Sequence, residues 1–416
     1  MEGVMCYMYL HHNIENDLVI DTEKIKRRAM MIEQIKDRFM TNGYDEIYTS
    51  TFEHYDLYAK MNGSVNRREM IKTIDNSGNV LVLRPDITIP ITQQLAMNNE
   101  TLTKDLRYFY MLDVFRQAEL TNEYVENTQA GIEYFGYDAP EADAEVIAIA
   151  AHLLQDLHIE DFKIEIGHAG FFQKLIEKID VPQEDLAELI HLIQSKNVAE
   201  IELLLRDLAI DEKMKEVMVA LPFLYGKPDI VLKKAKTLPL NDCLRTLIER
   251  LEATYEILCA YELERYLTID FSLINQMDYY SGVIFQGFIP NIGRPVLMGG
   301  RYNTLGNYFQ ANIPAIGFAA NVELLLDGID TKEKEEVNIV VLYEASEIKQ
   351  ALQLAKQLRE KQIKTVTYDK GIDLQRIRED AVQIFIEKEK NYILLDGDKI
   401  PFQTVQGIIH RLKERT

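Results

Sequence analysis

Between Glu23 and Met40, apolar Ile25, Met30, Ile32, Ile35 and Phe39 recur at near-helical spacing, and Asn42-Gly43 supplies a helix stop. An amphipathic helix is therefore predicted there. The segment Asp45–Phe52 (DEIYTSTF) reads as extended, and Leu81–Leu83, Tyr108–Arg116 and Gly131–Gly136 are further strand candidates. Glu141–Leu157 predicts a helix whose acidic opening suits the positive end of the helix dipole. From Phe171 to about Leu263 the spacing is almost wholly helical, which predicts an inserted helical region over about 171–263. Strand candidates resume at Leu267–Leu273, Tyr279–Phe288 and Val296–Met298, and GFAANVELL reads as a strand turning into a core helix over Phe318–Leu326.

The charged run Thr331–Glu336 predicts a linker between a region over 1–330 and a C-terminal domain over 337–416. In that domain Val337–Tyr343 has the look of a buried strand and Ile348–Glu360 of a helix. Ile363–Thr367, AVQIFI and YILLD are further strands, and a last helix spans about Thr404 to Lys413. Strand alternating with helix predicts a small α/β domain with a mostly parallel sheet.

The 416 residues suffice for two or three domains with an ample core. The three cysteines, Cys6, Cys243 and Cys259, have no metal or disulfide spacing, so a reducing cytoplasm is expected. The first residues lack the pattern of a signal peptide, and no apolar run approaches the ~18–20 residues that cross a bilayer, so no membrane association is expected. A net charge of −21 argues against nucleic acid as a partner, because a surface that wraps RNA presents cations to phosphates.

Four segments carry candidate chemistry. In LRPDITIP, Asp86 and Thr88 are two apart and share a face if the segment is a strand; a carboxylate beside a hydroxyl suits an ammonium group. A turn at Pro85 with solvated polar residues is the alternative. Arg116 ends an apolar strand in FRQAE. In the following TQAGIEYFG, Gln129 and Glu133 share a face with Gly131 between them, leaving room for a ligand. An inward Gln and Glu would lose hydration unless something binds them; an edge strand with its polar side in water is the alternative. In NQMDYYSGVIFQGF, Tyr279 and Tyr280 point to opposite faces if the segment is a strand, so only one would line a given pocket. In MGGRYNTLG, Arg301 is open to serving a carboxylate or a phosphate, or to being solvated.

Taken in order, these segments resemble the class II aminoacyl-tRNA synthetase core, most closely that of histidyl-tRNA synthetase. Asn42–Glu53 is similar to the first class II motif, with Ser50 where proline is usual. FRQAE and GFAANVELL are similar to the second and third motifs. LRPDITIP, TQAGIE, MDYYSGVIF and GGRYNTL resemble that family's LRPEGTA, HQxGxE, LDYYTGTVFE and GGRYDGL, and IEIGHAGF resembles the entry to its helical insertion. The resemblance covers roughly residues 20–326. It implies an α+β fold, with an antiparallel sheet core carrying a helical insertion. It also implies a C-terminal α/β domain of the anticodon-binding kind.

Carried over by position, the resemblance implies a histidine pocket. Asp86 and Thr88 would hold the α-ammonium with help from Gln129, and Arg116 and Gln129 would face the carboxylate. Glu133 would accept from the imidazole N–H, and Tyr280, with Tyr279 beside it, would serve the other ring nitrogen. Asp86 is one methylene shorter than the family's Glu. The departures fall elsewhere: Asn275 and Leu324 stand where the family carries arginines that act on ATP and the adenylate. Losing one preorganised cation of this kind typically costs on the order of 10²–10³ in rate. A synthetase core with these losses is similar to the regulatory subunits of ATP phosphoribosyltransferase. That resemblance implies no catalytic residue, no cofactor and no metal. It implies L-histidine as the ligand, a short-form catalytic subunit as partner, and a homodimer within a hetero-oligomer. The alternative is an active histidyl-tRNA synthetase in which Arg294 or Arg301 replaces the lost cations.

Overall fold

The computed structural model describes residues 22–59, 61, 65–97, 105–117, 126–177, 182–208, 210–274, 279–329, 339–372, 381–395 and 397–413. The chain divides into two compact units, Met1–Ile329 and Asp330–Thr416. The charged linker expected at 331–336 lies outside the described residues, as does Asn275.

In the first unit α1 (Thr22–Thr41) leads to β1 (Asp45–Glu46), β2 (Phe52–His54), α2 (Tyr55–Ala59), β3 (Lys72–Ile74), β4 (Val80–Leu83) and α3 (Thr88–Met97). Two long strands follow, β5 (Leu106–Phe115) and β6 (Glu126–Phe135), then α4 (Pro140–Asp156) and β7 (Lys163–His168). The insertion holds α5 (Ala169–Ile176), α6 (Gln183–Gln194), α7 (Val198–Asp207), α8 (Glu212–Ala220), the two-residue β8 (Tyr225–Gly226), α9 (Pro228–Ala235) and α10 (Asp242–Ala260). The chain returns through β9 (Leu267–Asp270), β10 (Val283–Phe288), β11 (Leu297–Arg301), β12 (Ala315–Asn321) and α11 (Val322–Gly328).

Nine of these strands form one sheet in the order β1-β5-β6-β12-β11-β10-β7-β9-β8. The β1–β5 and β7–β9 pairs are parallel and the others antiparallel. Alternation along the strands sorts side chains into two cores. Phe109, Ala130, Ile132 and Tyr134 pack with the buried side of α4, with α1 and with the insertion. Tyr110, Leu112 and Val114 face the other way, toward Tyr279, Tyr280 and Tyr302. The helix α4 forms for legible reasons: Pro140 at its first turn, Glu141 and Asp143 beside the dipole's positive end, and an Ala-rich buried side that lets it lie close to the sheet.

Two sequence expectations need correction here. Asp45–Phe52 is not one extended segment. It contributes β1 to the large sheet and β2 to a separate three-stranded sheet ordered β2-β4-β3. The crossing is held by Arg84, which donates to the carbonyls of Thr49 (2.9 Å) and Asp113 (2.6 Å). The strand expected from Tyr279 begins only at Val283. The N–H groups of Ser281 and Gly282 both reach the carbonyl of Arg301, at 2.8 and 3.3 Å. Two residues thus oppose one, as in a bulge, and the simple alternation of side chains is broken.

The second unit contains β13 (Ile339–Tyr343), α12 (Ile348–Glu360), β14 (Thr365–Asp369), β15 (Val382–Ile386), β16 (Tyr392–Leu395), β17 (Asp398–Pro401) and α13 (Val405–Lys413). Its sheet order is β14-β13-β15-β16-β17. The expected mostly parallel sheet is instead mixed: β13 pairs parallel with β14 and β15, while β16 and β17 pair antiparallel. Strand β17 was missed because DKIP is polar. The Asp396-Gly397 pair before it is nevertheless a hairpin signal, and Gly397 takes φ +90°.

Candidate functional site

A cavity of about 390 Å³ runs along β6 and β12. The register pairs Glu133 with Gly317 and Gln129 with Asn321. Four residues of strand separate those pairs, roughly 13 Å. The volume falls in the range of small-ligand sites, roughly 300–1,000 Å³. Asp86, Thr88, Arg116, Gln129, Glu133, Tyr279 and Tyr280 all line it, so one space gathers every sequence-predicted site residue.

Glu133 is the centre of one end. Its side chain is 1% exposed. Thr88 Oγ1 donates to Oε1 at 2.6 Å, the Tyr302 hydroxyl donates to Oε2, and Tyr110 adds a further hydrogen bond. Burial pushes its carboxyl up to about 8, against the pull of those donors and with help from neighbouring Asp86. Burial thus favours the neutral form of this carboxyl. A bound cation or N–H donor would favour the charged form. The carboxylate fits only because position 317 is glycine, since a Cβ there would lie 1.9 Å from Oε2.

Asp86 and Thr88 reach the cavity by a route other than the expected strand. The chain turns after Pro85, and Asp86 caps α3: its Oδ1 accepts the Ile89 N–H at 2.8 Å. Thr88 is the first residue of that helix. Burial raises the Asp86 carboxyl, while the Ile89 N–H and Arg116 oppose the rise. Arg116 donates through Nε to the Pro85 carbonyl at 2.8 Å, which ties the end of β5 to the Asp86 turn.

Three further expectations change. Tyr279 and Tyr280 both line the cavity, because the break before β10 brings their rings to 4.8 Å from one another. The room left by Gly131 is not for a ligand: a Cβ there would lie 2.4 Å from the Tyr110 ring, so the glycine admits that tyrosine. Arg301 serves neither carboxylate ligand nor phosphate. It is 1% exposed and pairs through Nε with Asp143 at 2.6 Å. Sequence reasoning missed Tyr302, Tyr110 and Gly317. The signal for Tyr302 was present: along an extended chain it must face opposite to Arg301, its neighbour in GGRY.

The other end of the cavity is lined by Asn127, Arg294, Pro295, Val296, Phe318, Asn321 and Leu324. Leu324 sits in the first turn of α11, its N–H held by Asn321 Oδ1 at 2.9 Å, and its side chain is buried. Glu323 is turned away to bond the Thr128 N–H (2.8 Å) and Arg28 (3.2 Å). Among the described residues no group of His, Cys, Asp or Glu is placed to hold a metal ion, and no helix is long and apolar enough to cross a membrane.

The comparisons with known proteins decide the family. The histidyl-tRNA synthetase family model matches residues 20–325. The ATP phosphoribosyltransferase regulatory subunit of Oceanobacillus iheyensis is 39% identical over 411 residues, covering 98% of this chain and 100% of that protein. The chain belongs to the ATP phosphoribosyltransferase regulatory subunits, a branch of the histidyl-tRNA synthetase family. The regulatory subunit of Ruminiclostridium cellulolyticum is 33% identical over 412 residues, covering 96% of this chain and 95% of that one. Among solved structures, an ATP phosphoribosyltransferase regulatory subunit/histidyl-tRNA synthetase from Bacillus halodurans C matches with a TM-score of 0.77 at 26% identity, covering 87% of this chain and 94% of that one. The histidyl-tRNA synthetase of Nostoc sp. PCC 7120 matches with a TM-score of 0.77 at 19% identity, covering 94% and 96%, and shares the fold. As a regulatory subunit of ATP phosphoribosyltransferase in histidine biosynthesis, the chain works with a catalytic phosphoribosyltransferase partner.

Proposed function

We propose that this subunit binds free L-histidine in the cavity along β6 and β12 and passes that occupancy to a short-form catalytic subunit, which it also activates. The observation that carries the reading is the contrast within one cavity. The Glu133 end keeps a full set of groups for a small zwitterion with an imidazole, while the end beyond Asn321 presents Leu324 where adenylate chemistry needs a cation.

In this reading Asp86 and Thr88 take the ammonium, and Arg116 and Gln129 take the carboxylate. Glu133 accepts from one ring N–H, and Tyr280, backed by Tyr279, meets the other ring nitrogen. A ring with one donor and one acceptor is read from both sides in this way. Residues 1–330 form the ligand-binding region with the insertion at 171–263, and 337–416 form a separate C-terminal domain. The subunit works as a homodimer inside a cytoplasmic hetero-oligomer, without tRNA. Its anionic total of −21 suits small-molecule and protein partners better than nucleic acid.

The test is reconstitution. Adding the subunit to a short-form phosphoribosyltransferase is expected to raise its rate and to make it sensitive to histidine. A pair whose rate and histidine response equal those of the catalytic subunit alone would refute the reading. Histidine-dependent ATP–pyrophosphate exchange is expected to be absent, and a clear signal would favour a working synthetase instead.

A further inference from the structure

A buried ion-pair cluster lies directly behind the ligand cavity, and the cavity residues do not explain it. Residues 301–303 alternate across it. Tyr302 points into the cavity and donates to Glu133, while Arg301 and Asn303 point the other way. Arg301 Nε donates to Asp143 Oδ1 at 2.6 Å, and its Nη1 reaches the Tyr137 carbonyl and Asn303 Oδ1, both at 3.2 Å. The second oxygen of Asp143 accepts from Arg250 Nε at 2.8 Å, and Arg250 also pairs with Asp138 at 2.7 Å. Asp138 in turn accepts from Asn303 Nδ2 at 2.8 Å. Asp143 is fully buried, so a single carboxylate on α4 joins two arginines from different parts of the unit.

The origin of the two arginines matters. Arg301 ends β11 and adjoins a cavity residue. Arg250 stands on α10, the longest helix of the insertion. The same segment is tied to the insertion by backbone as well. The Arg301 carbonyl accepts from Ser281 and Gly282, and the Gly282 carbonyl accepts the N–H of Ala169, where α5 begins. Asn303 N–H donates to Ser281 Oγ at 3.0 Å. The cluster is also incompletely satisfied. Arg301 Nη2 and the Nδ1 of buried His168, a neighbour of Arg250, have no hydrogen-bond partner among the described residues. A buried polar cluster of this kind is sensitive to a shift in any member, because its electrostatic contacts are strong and its unpaired groups are costly.

We infer that the line Glu133–Tyr302–Arg301–Asp143–Arg250 couples the ligand cavity to the helical insertion, and that α10 is the element through which occupancy is reported. The inference rests on the proposal that histidine occupies the cavity. A ligand N–H brought to Glu133 competes for the oxygen that Tyr302 already holds. Tyr302 cannot move without its neighbours, because both are anchored. The displacement therefore passes to Arg301 and, through the shared carboxylate, to Arg250. Arg250 is not among the cavity-lining residues, so it is a positioning residue with no direct hold on the ligand.

Linkage gives the test its form, since a coupling between two sites is the ratio of affinities measured with and without the second partner. Calorimetry is used to measure histidine affinity for the isolated subunit and for its complex with the catalytic subunit. In the wild type the two affinities are expected to differ about 5- to 150-fold. Arg250→Leu should leave the isolated affinity within about 3-fold of wild type, while the ratio collapses to within about 2-fold of one. Arg250→Lys, which keeps a charge beside Asp143, should restore part of it. Asp138→Asn alters only the half-exposed arm of the cluster and serves if Arg250→Leu fails to fold; it should reduce the ratio at least about 3-fold. A variant that keeps both the wild-type affinity and the wild-type ratio overturns the relay. So does a wild-type ratio of one with histidine bound. A wild type that binds no histidine in either state removes the ligand reading itself, and the relay with it.

Discussion

The two ends of the cavity have opposite characters although they share two strands. At the Glu133 end, hydroxyls of Thr88, Tyr302 and Tyr110 converge on one buried carboxylate, and a glycine is required opposite it. At the Leu324 end, Pro295, Val296, Phe318 and Leu324 line the wall together with Asn127, Arg294 and Asn321, and Glu323 is engaged with Arg28 and Thr128. A buried polar group is tolerated only where its partners are supplied, so the residues around Glu133 are under strong constraint. The second end has no comparable constraint. A triphosphate there would meet Leu324 where the synthetases carry a guanidinium; leucine offers neither charge nor donors, which leaves Arg294 as the cation lining that end. On the proposed reading, the difference teaches that recognition and catalysis in this fold are separable along about 13 Å of strand.

The largest effect should come from Gly317→Ala and Glu133→Ala at the first end. A Cβ at 317 collides with the carboxylate and with the Ile132 carbonyl, so that variant should lose stability by roughly 1–3 kcal/mol, read by thermal denaturation, and lose histidine binding. Glu133→Ala should weaken histidine binding by about 100-fold in calorimetry, the scale of a buried charged acceptor. Tyr302→Phe should follow with about 10-fold, since one neutral donor is removed and the carboxylate keeps Thr88. Leu324→Arg, at the second end, should change histidine affinity by less than about 3-fold and produce no pyrophosphate exchange. A collapse of histidine binding in Leu324→Arg would show that the two ends act as one.

A separate effect concerns pH. Folded Glu133 titrates near 8 and the unfolded residue near the ordinary carboxylate value, so the folded state holds a proton that the unfolded state has lost across that window. This contribution to stability is full below the unfolded value and is lost as pH rises through about 8. The wild type should therefore lose more thermal stability than Glu133→Gln between pH 5 and about 8, when no histidine is present. Equal slopes for the two proteins would place the titration elsewhere.

Much of this was legible in the sequence because periodicity and order survive without coordinates. The helix from Glu23, the pairing of Gln129 with Glu133 on one face, and the strand-to-helix turn at Asn321 all follow from spacing. Most of the misses share a physical cause. The spacing of Asp86 and Thr88 fits either a shared strand face or solvated residues of a turn at Pro85; the structure has the turn, but with Asp86 buried and capping a helix. Tyr279 and Tyr280 were assigned opposite faces because strand alternation was extended through a break set by the Arg301 carbonyl, 20 residues away in sequence. Gly131 was given to a ligand because only a neighbouring strand could reveal that Tyr110 occupies its space. Arg301 drew attention as a charge, whereas its neighbour Tyr302 is the residue that reaches the site. For the tyrosine pair, Gly131 and Tyr302 the missing information was a partner distant in sequence, whereas the partner of Asp86 is local, the Ile89 N–H three residues on.

The most direct test of histidine sensing is the concentration of histidine that half-inhibits the phosphoribosyltransferase complex assembled with wild-type or Glu133→Ala subunit. If Glu133 reads the ligand, that concentration rises by about 100-fold in the variant. An unshifted half-inhibition point, with the variant subunit folded and incorporated, would contradict it and put the histidine site elsewhere.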